Sequence, residues 1–231
     1  MNLRARHALA GSGALLTTTL AVAAPTAAQT PTPTPAQAAS GPVATKADAS
    51  LTVRSVRRHV VKGRSVVVTG VLRPRGAGRA VSLQVRGSNG RYLTVDKDRT
   101  DGRGTYRLTW EATRTGSHRL RVHFGGTREL SSAKRRVGTA NVYRRALASW
   151  YGPGFWGGHL ACGGRLSPGM LGVAHKTLPC GTKVTLRYKG RTARVPVIDR
   201  GPYVGAREFD LTAATKARLG FGGTGTVLVT R

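Results

Sequence analysis

The sequence is poor in cysteine, acidic residues and aromatic residues, and no segment after the N-terminus is apolar enough to span a membrane. Its two cysteines, Cys162 and Cys180, exclude a disulfide-dense scaffold, and their spacing excludes a CxxC metal or redox motif. In an exported chain, two cysteines are expected to form one disulfide. Closing a loop of this size stabilises the fold by about 3 kcal/mol through chain entropy.

Carboxylates are scarce relative to basic groups. The chain has 9 Asp and Glu against 38 Lys and Arg, which gives a formal net charge of +29. A field of this strength attracts polyanions. For an exported protein these are anionic wall polymers and lipid head groups, whereas export separates the protein from nucleic acid. The alternative is an arginine-rich coding bias that serves only solubility.

The N-terminus is typical of a secretory signal peptide. Arg4 and Arg6 precede an apolar stretch of small residues, and alanine-rich cleavage positions run to Ala28. A transmembrane anchor is disfavoured because the stretch is short, weakly hydrophobic and interrupted by threonines. We therefore predict a signal peptide over residues 1–28, cleaved within about 24–28, and a secreted protein. Residues 29–49 alternate Thr and Pro and then become Ala-rich, which predicts an extended linker.

Residues 50–143 predict an all-β domain. Short runs with apolar residues at every second position, such as SVVVTGVL and SHRLRVHF, are separated by Gly- and Asn-rich turns. About seven strands at this spacing indicate a β-sandwich. The stretch resembles the immunoglobulin-like modules of bacterial exported proteins, and its outward positions are mostly Arg. Asp96, Asp98 and Asp101 lack the ligand series of a calcium loop, so a solvated turn is the better interpretation.

After a short predicted junction over residues 144–149, glycine becomes frequent. The apolar segments KVTLRY, TARVPVI and GTVLVT predict strands, and residues 211–219 predict one helix. Asp210 or Thr212 would cap the start of this helix, and Gly220 follows its end. A mostly-β barrel with one short helix is expected.

The carboxylates of the C-terminal domain are clustered. Asp199, Glu208 and Asp210 all lie among basic residues in one short segment, whereas carboxylates used only for solubility would be scattered. Asp199 follows an apolar strand, so burial could raise its pKa as a general acid requires, while Arg200 acts in the opposite direction. The alternative is a turn residue that hydrogen-bonds its own backbone before Gly201-Pro202.

His175 is a second candidate, although a single histidine in an apolar segment is more often structural. His159 is interpreted as an exposed loop residue. A zinc site would need both cysteines as ligands rather than as a disulfide, so no metal and no cofactor are expected.

Aromatic residues are concentrated at the start of the domain. Trp150, Tyr151, Phe155 and Trp156 alternate with glycines, and Tyr203 lies four residues beyond Asp199. Such side chains either form a platform against the faces of sugar rings or close the end of the barrel. We favour the sugar platform.

Four segments of this domain carry a family resemblance. They are Ala148-Ser149-Trp150-Tyr151-Gly152, Gly172-Val173-Ala174-His175-Lys176-Thr177-Leu178-Pro179-Cys180-Gly181-Thr182, Val197-Ile198-Asp199-Arg200-Gly201-Pro202-Tyr203 and Phe209-Asp210-Leu211-Thr212. In this order and spacing they resemble the rare lipoprotein A (RlpA)-like family over residues 146–231. The resemblance implies a six-stranded double-psi β-barrel, shared with barwin and expansin domains. It also implies binding of peptidoglycan glycan strands and lytic transglycosylase activity.

Within this resemblance, His175 and Asp199 match the active-site histidine and aspartate, and Asp210 matches an aspartate of expansin-like relatives. The glutamate of the family's Ser-Gly-Glu segment is replaced by Gly164, which brings the segment closer to barwin and expansin domains. The sequence thus predicts a secreted, wall-associated lytic transglycosylase. Asp199 would protonate the glycosidic oxygen and then accept the proton of the muramoyl 6-hydroxyl. The alternative is a non-catalytic, expansin-like or peptidoglycan-binding wall protein.

Overall fold

The computed structural model describes residues 45–231, so the predicted signal peptide and most of the predicted linker lie outside the described residues. The strands are β1 (Ser50–Arg57), β2 (His59–Val61), β3 (Ser65–Arg73), β4 (Ala80–Arg86), β5 (Tyr92–Arg99), β6 (Thr105–Glu111), β7 (Gly116–Phe124), β8 (Ala133–Tyr151), β9 (Val173–His175), β10 (Lys183–Tyr188), β11 (Arg191–Asp199), β12 (Phe209–Thr212) and β13 (Gly225–Thr230), and the helix is α1 (Ala213–Leu219). The prediction of an all-β protein is confirmed. No helix among residues 45–231 is long and apolar enough to cross a membrane.

The N-terminal half is a sandwich of two sheets. One has the order β1-β3-β6, and the other joins β2, β8, β7, β4 and β5, with β2 parallel to β8. Alternating apolar residues of both sheets face a shared core, as the period-two pattern predicts. This core includes Val66, Val68, Leu83, Leu108, Leu120 and Val122.

Of the three aspartates expected in a solvated turn, Asp101 is exposed there and accepts the N–H groups of Arg103 and Thr105, whereas the other two have a different role. Asp96 and Asp98 lie in β5, where they accept the backbone N–H groups of Thr109 and Arg107 at 2.6 and 2.7 Å. Strand β6 pairs with β3 along one edge only, so the backbone groups of its other edge have no strand partner within residues 45–231. The carboxylates therefore satisfy free backbone donors of β6 and connect the two sheets.

The predicted junction over residues 144–149 is wrong. Strand β8 runs without interruption from Ala133 to Tyr151, pairing first with β7 and then with β13 and β12. Alternating burial continues through the segment, since Ala146 and Ala148 are buried and Arg145 and Leu147 are exposed. One strand thus belongs to both the sandwich and the barrel.

The C-terminal half is a closed barrel of six strands. The ladder runs β8-β12-β9-β11-β10-β13 and returns to β8. The β8–β12 and β9–β11 pairs are parallel, and the others are antiparallel. Strands β10 and β13 match the predicted segments KVTLRY and GTVLVT residue for residue.

The single helix of the barrel ends where its sequence predicts but begins two residues later, at Ala213, because residues 211 and 212 belong to β12. Thr212 is the N-cap, since its hydroxyl accepts the N–H of Thr215, and Gly220 is the left-handed C-cap with φ of 62°. Thr212 and Thr215 also bind the backbone of Gly172, which precedes β9. This contact fixes β9 against the start of the helix.

Candidate active site

A groove at one end of the barrel brings two of the predicted carboxylates together. We call it the acidic groove; it has a volume of about 240 Å³. Its lining includes Asp199, Asp210, Tyr151, Phe155, Tyr203, Ala174, Arg207 and Val204. Asp199 ends β11 and Asp210 lies in β12.

Strand β9 explains how these aspartates come to flank one groove. Ala174 of β9 is in register with Asp199 on one side and with Asp210 on the other. Side chains at paired positions point to the same face of a sheet, and strands two apart are separated by about 10 Å. The small methyl group of Ala174 forms the floor between the two carboxylates and leaves space above it.

The carboxylate of Asp199 is held by two backbone donors. Its Oδ1 accepts the N–H of Ala161 at 2.9 Å and that of Arg200 at 2.8 Å. The second bond is the local turn interaction that the Gly-Pro context predicted, whereas the first connects residues 38 positions apart. Together they fix the orientation of the carboxylate in the groove.

Asp210 is the carboxyl with the shifted pKa. Burial raises the pKa of Asp210, and the charge of Asp199 acts in the same direction, against the opposing effects of the Ser149 hydroxyl and Arg207. Asp210 therefore resists ionisation.

Three buried polar atoms on this wall have no hydrogen-bond partner in the described part of the chain: Oδ1 of Asp210, Oγ of Ser149 and the phenolic oxygen of Tyr151. Ser149 is in register with Asp210 across the β8–β12 ladder. Burial raises the pKa of Tyr151, and both aspartates add to that effect. Buried polar groups without partners are rare in folded proteins. All three lie on the β8–β12 wall beside the groove.

The predicted aromatic residues divide between the groove and the barrel wall. Tyr151, Phe155 and Tyr203 line the groove; Phe155 and Tyr203 are 63% and 77% exposed. Trp150 instead packs against the barrel core with Lys216 over its ring, and Trp156 lies against Gly152. The structure thus brings three of the five predicted sugar-binding residues into the groove.

His175 does not line the acidic groove. It follows Ala174 in β9, so its ring lies on the opposite face of the strand, tilted against Phe209. Its Nδ1 accepts the N–H groups of Thr177 and Leu178, and its Nε2 lies 3.5 Å from Glu208. Burial lowers the pKa of His175 despite the nearby glutamate, which fits a neutral ring that accepts at Nδ1.

Glu208 is also outside the groove. It forms a two-pronged ion pair with Arg144 of β8, including an Arg144 Nη1–Oε2 hydrogen bond of 2.6 Å. The hydrogen bond from Arg144 is the main reason that the pKa of Glu208 is lowered. Of the three clustered carboxylates, Asp199 and Asp210 therefore line the groove, whereas Glu208 pairs with Arg144.

Arg200 links the His175 segment to Asp199. Its Nη1 donates to the carbonyl oxygens of His175 and Leu178 at 3.2 and 2.9 Å, while its backbone N–H binds Asp199. The loop that His175 stabilises is thereby connected to the groove. His175 is placed to position groove residues rather than to touch a ligand there.

The predicted disulfide between Cys162 and Cys180 is present, with the two Cα atoms 5.5 Å apart. It joins the loop that donates Ala161 N–H to Asp199 with the loop that holds Arg200. Among residues 45–231 no cluster of three His, Cys, Asp or Glu residues could hold a metal ion.

Sequence reasoning missed Ser149, Ala174, Arg207 and the N–H of Ala161. Ser149 and Tyr151 are two residues apart in one strand, so their side chains point to the same face, and this spacing was a signal for Ser149. The contribution of Ala161 depends on a long-range contact and leaves no local pattern.

Residues 143–231 match the family described as Lytic transglycolase. The chain is 37% identical over 122 residues to the probable endolytic peptidoglycan transglycosylase RlpA of Synechocystis sp., a match that covers 47% of this chain and 38% of that protein. It is 40% identical over 115 residues to the endolytic peptidoglycan transglycosylase RlpA of Neisseria meningitidis serogroup A, covering 47% and 48%. The matches thus span less than half the length of these relatives.

A solved structure is similar to part of this chain. It is the Streptomyces papain inhibitor, which is 28% identical and matches 38% of this chain and 94% of its own length with a TM-score of 0.31. A superposition of that quality supports no conclusion about function.

Proposed function

Residues 143–231 belong to the RlpA-like double-psi β-barrel family, and from this premise we propose that the protein cleaves peptidoglycan glycan strands as a lytic transglycosylase. The names of the relatives describe this activity for those proteins. The observation that supports it most strongly for this chain is the convergence of Asp199 and Asp210 on one groove with an aromatic rim.

The groove supplies the contacts that a sugar chain needs. Phe155 and Tyr203 offer exposed rings for the apolar faces of sugars. The side chains of Asp199, Asp210 and Arg207 line the groove and can hydrogen-bond to hydroxyl or amide groups. A glycan strand presents both kinds of surface, which is why we favour it as the ligand.

We assign the proton donor to Asp210 and the proton acceptor to Asp199. Burial raises the pKa of Asp210 and so favours its protonated form, which can donate to the glycosidic oxygen between N-acetylmuramic acid and N-acetylglucosamine as that bond breaks. Asp199 then takes the proton of the muramoyl 6-hydroxyl. The 6-oxygen of the sugar bonds to C1 as the glycosidic bond breaks, and this closes an anhydro ring. No water is consumed. This scheme divides between two residues the steps that the sequence assigned to Asp199 alone.

We assign His175 a positioning role. Its neutral ring accepts two backbone N–H groups and thereby holds the loop whose carbonyl oxygens bind Arg200. Loss of the ring would disturb Asp199 through Arg200 without removing a group that touches the glycan.

The decisive experiment is incubation of the purified protein with peptidoglycan and detection of anhydromuramoyl products by mass spectrometry. We expect products from the natural chain and none from Asp199→Asn. Asp48→Asn replaces an exposed carboxylate outside the groove and serves as the matched control, which should retain activity. Undiminished release by Asp199→Asn would dismiss Asp199 as an acid–base group.

The second candidate function is a non-catalytic, expansin-like glycan binder. The replacement of the family's glutamate by Gly164, an exposed loop glycine with φ of 79°, favours it. Binding of peptidoglycan by the natural chain without any anhydromuramoyl product would select this function over the transglycosylase.

We also propose that the N-terminal sandwich is immunoglobulin-like and that the protein is secreted to the cell wall. The sheet orders β1-β3-β6 and β8-β7-β4 correspond to strands A-B-E and G-F-C of that fold. The proposal of secretion depends on the N-terminal sequence pattern. N-terminal sequencing of the exported protein tests it, with cleavage expected within about residues 24–28.

A further inference from the structure

A second groove lies on the sandwich, away from the barrel carboxylates. We call it the arginine groove; it has a volume of about 620 Å³ and crosses strands β4, β5, β7 and β8. It is lined by Arg86, Gly90, Tyr92, Arg119, Leu120, Arg136, Gly138 and Thr139. An adjoining cavity shares Arg86, Gly90 and Arg119 and extends the groove past two serines.

The arginine groove has an uncompensated positive charge. None of its lining residues is acidic. Within residues 45–231 both ion pairs involve Glu208, which belongs to the barrel. The nearest acidic strand residues, Asp96 and Asp98, accept backbone N–H groups of β6 instead.

The arginines are also placed against one another. Arg121 of β7 is directly opposite Arg136 of β8, and like charges at such positions destabilise a sheet. The guanidinium of Arg58 lies 3.4 Å from the position that a Cβ on Gly138 would occupy. A surface that served solubility alone would intersperse charges of both signs. Arg121 itself does not line the groove: it donates to Oε1 of Gln84 at 2.7 Å and its guanidinium lies 3.8 Å from the centre of the Tyr92 ring. In the described part of the chain, the lining arginines Arg86, Arg119 and Arg136 have no acidic partner, and this observation favours an anionic ligand.

We propose that the arginine groove binds a linear polymer that carries repeated phosphate groups. Guanidinium groups bind phosphate oxygens with two parallel hydrogen bonds, and successive arginines along a groove match successive phosphates along a chain. Gly90 and Gly138 have no side chain to fill the groove floor, so a polymer can approach the strands. A flat membrane surface would reach the exposed arginines but not this concave floor. The inference does not depend on the activity of the barrel.

The test measures binding of the full chain to immobilised poly(glycerol phosphate) over a series of salt concentrations. The triple variant Arg86→Gln, Arg119→Gln, Arg136→Gln removes the groove charges. A matched control removes three exposed arginines elsewhere on the sandwich: Arg54→Gln, Arg107→Gln and Arg128→Gln. Circular dichroism verifies that both triple variants are folded.

We expect the groove variant to bind at least about tenfold more weakly, and its logarithmic salt slope to fall by about one unit for each arginine that contacts a phosphate. The control variant should stay within about threefold of the natural chain, because it retains the groove. Equal losses in both variants would show that only net charge matters and would overturn the proposal.

Two further probes define the ligand. Equal affinity for polyglutamate would overturn the assignment to phosphate, and tighter binding to phosphatidylglycerol vesicles than to the polymer would overturn the choice of polymer over membrane. Asp199→Asn should bind the polymer like the natural chain. Failure of this inference is thus distinguishable from failure of the proposed glycan cleavage.

Discussion

At the scale of single residues, the two groove aspartates differ in their surroundings rather than in their chemistry. Asp199 accepts two backbone N–H groups, whereas Asp210 has a buried oxygen without a partner. Burial and the charge of Asp199 raise the pKa of Asp210. Two identical side chains can therefore take opposite protonation roles at the same pH.

The first prediction concerns the pH dependence of activity. Because the proposed donor must be protonated, we expect the rate of anhydromuramoyl release to fall as pH rises through the raised pKa of Asp210. The measurement is a pH–rate profile with mass-spectrometric detection of products. A rate that stays constant as Asp210 ionises, with the ionisation followed by NMR, would remove Asp210 from the role of donor.

The second prediction concerns stability. A carboxyl whose pKa is raised by folding favours the folded state when protonated, and this contribution is lost as pH rises through the folded pKa. Asp210→Asn should therefore increase the free energy of unfolding at neutral pH, and the gain should vanish in acid below the ordinary aspartate pKa. Urea unfolding at several pH values measures this difference.

The matched control for this stability effect is Glu111→Gln, which replaces an exposed carboxylate of the sandwich. We expect little change from it at either pH, because surface substitutions usually change stability by less than about 0.5 kcal/mol. A loss of stability for Asp210→Asn at neutral pH would contradict the raised pKa.

At the scale of elements, the acidic groove depends on β9 and on two loops that carry no regular structure. Strand β9 is only three residues long, yet its pairing with β11 and β12 sets the spacing of the two aspartates. The disulfide joins the loops that supply Ala161 N–H and the carbonyl partner of Arg200. Loops held at so few points need a cross-link to keep a fixed geometry.

The third prediction therefore concerns the pair Cys162→Ser and Cys180→Ser. The disulfide spans 18 positions, and losing it should lower the free energy of unfolding by about 3 kcal/mol. Urea unfolding of the variant measures this loss, and reductant added to the natural chain is the control that should reproduce it. A difference below about 1 kcal/mol would mean that the loops are held by their other contacts.

At the scale of the whole molecule, β8 is the element that unites the two halves. It contributes Val142 to the sandwich core and Ala146 and Ala148 to the barrel core. Residues 44–231 accordingly form one compact unit. Unfolding of one core would disrupt this shared strand and thereby destabilise the other core.

The fourth prediction is a single calorimetric unfolding transition for residues 44–231. Leu83→Ala in the sandwich core and Leu186→Ala in the barrel core should each destabilise by about 2–5 kcal/mol, because both side chains are fully buried. Each variant should lower the temperature of the same transition. Two transitions that respond separately would show that β8 does not couple the halves.

Local sequence patterns determined much of this fold. The apolar runs located β3, β7, β10, β11 and β13, the caps located α1, and the cysteine count specified the disulfide. These features depend on neighbours within a few residues or on a unique pairing, so a single sequence contains them. The clustering of acidic residues in the sequence likewise pointed to the barrel groove.

Other features were decided only by the tertiary structure. Successive side chains of a strand point to opposite faces, so the closure of the barrel placed Ala174 between the aspartates and turned His175 away from them. The burial that raises the pKa of Asp210 depends on what packs around that carboxyl in the folded chain. Strand register and burial are long-range properties, and for that physical reason the sequence named the groove residues but could not assign their roles.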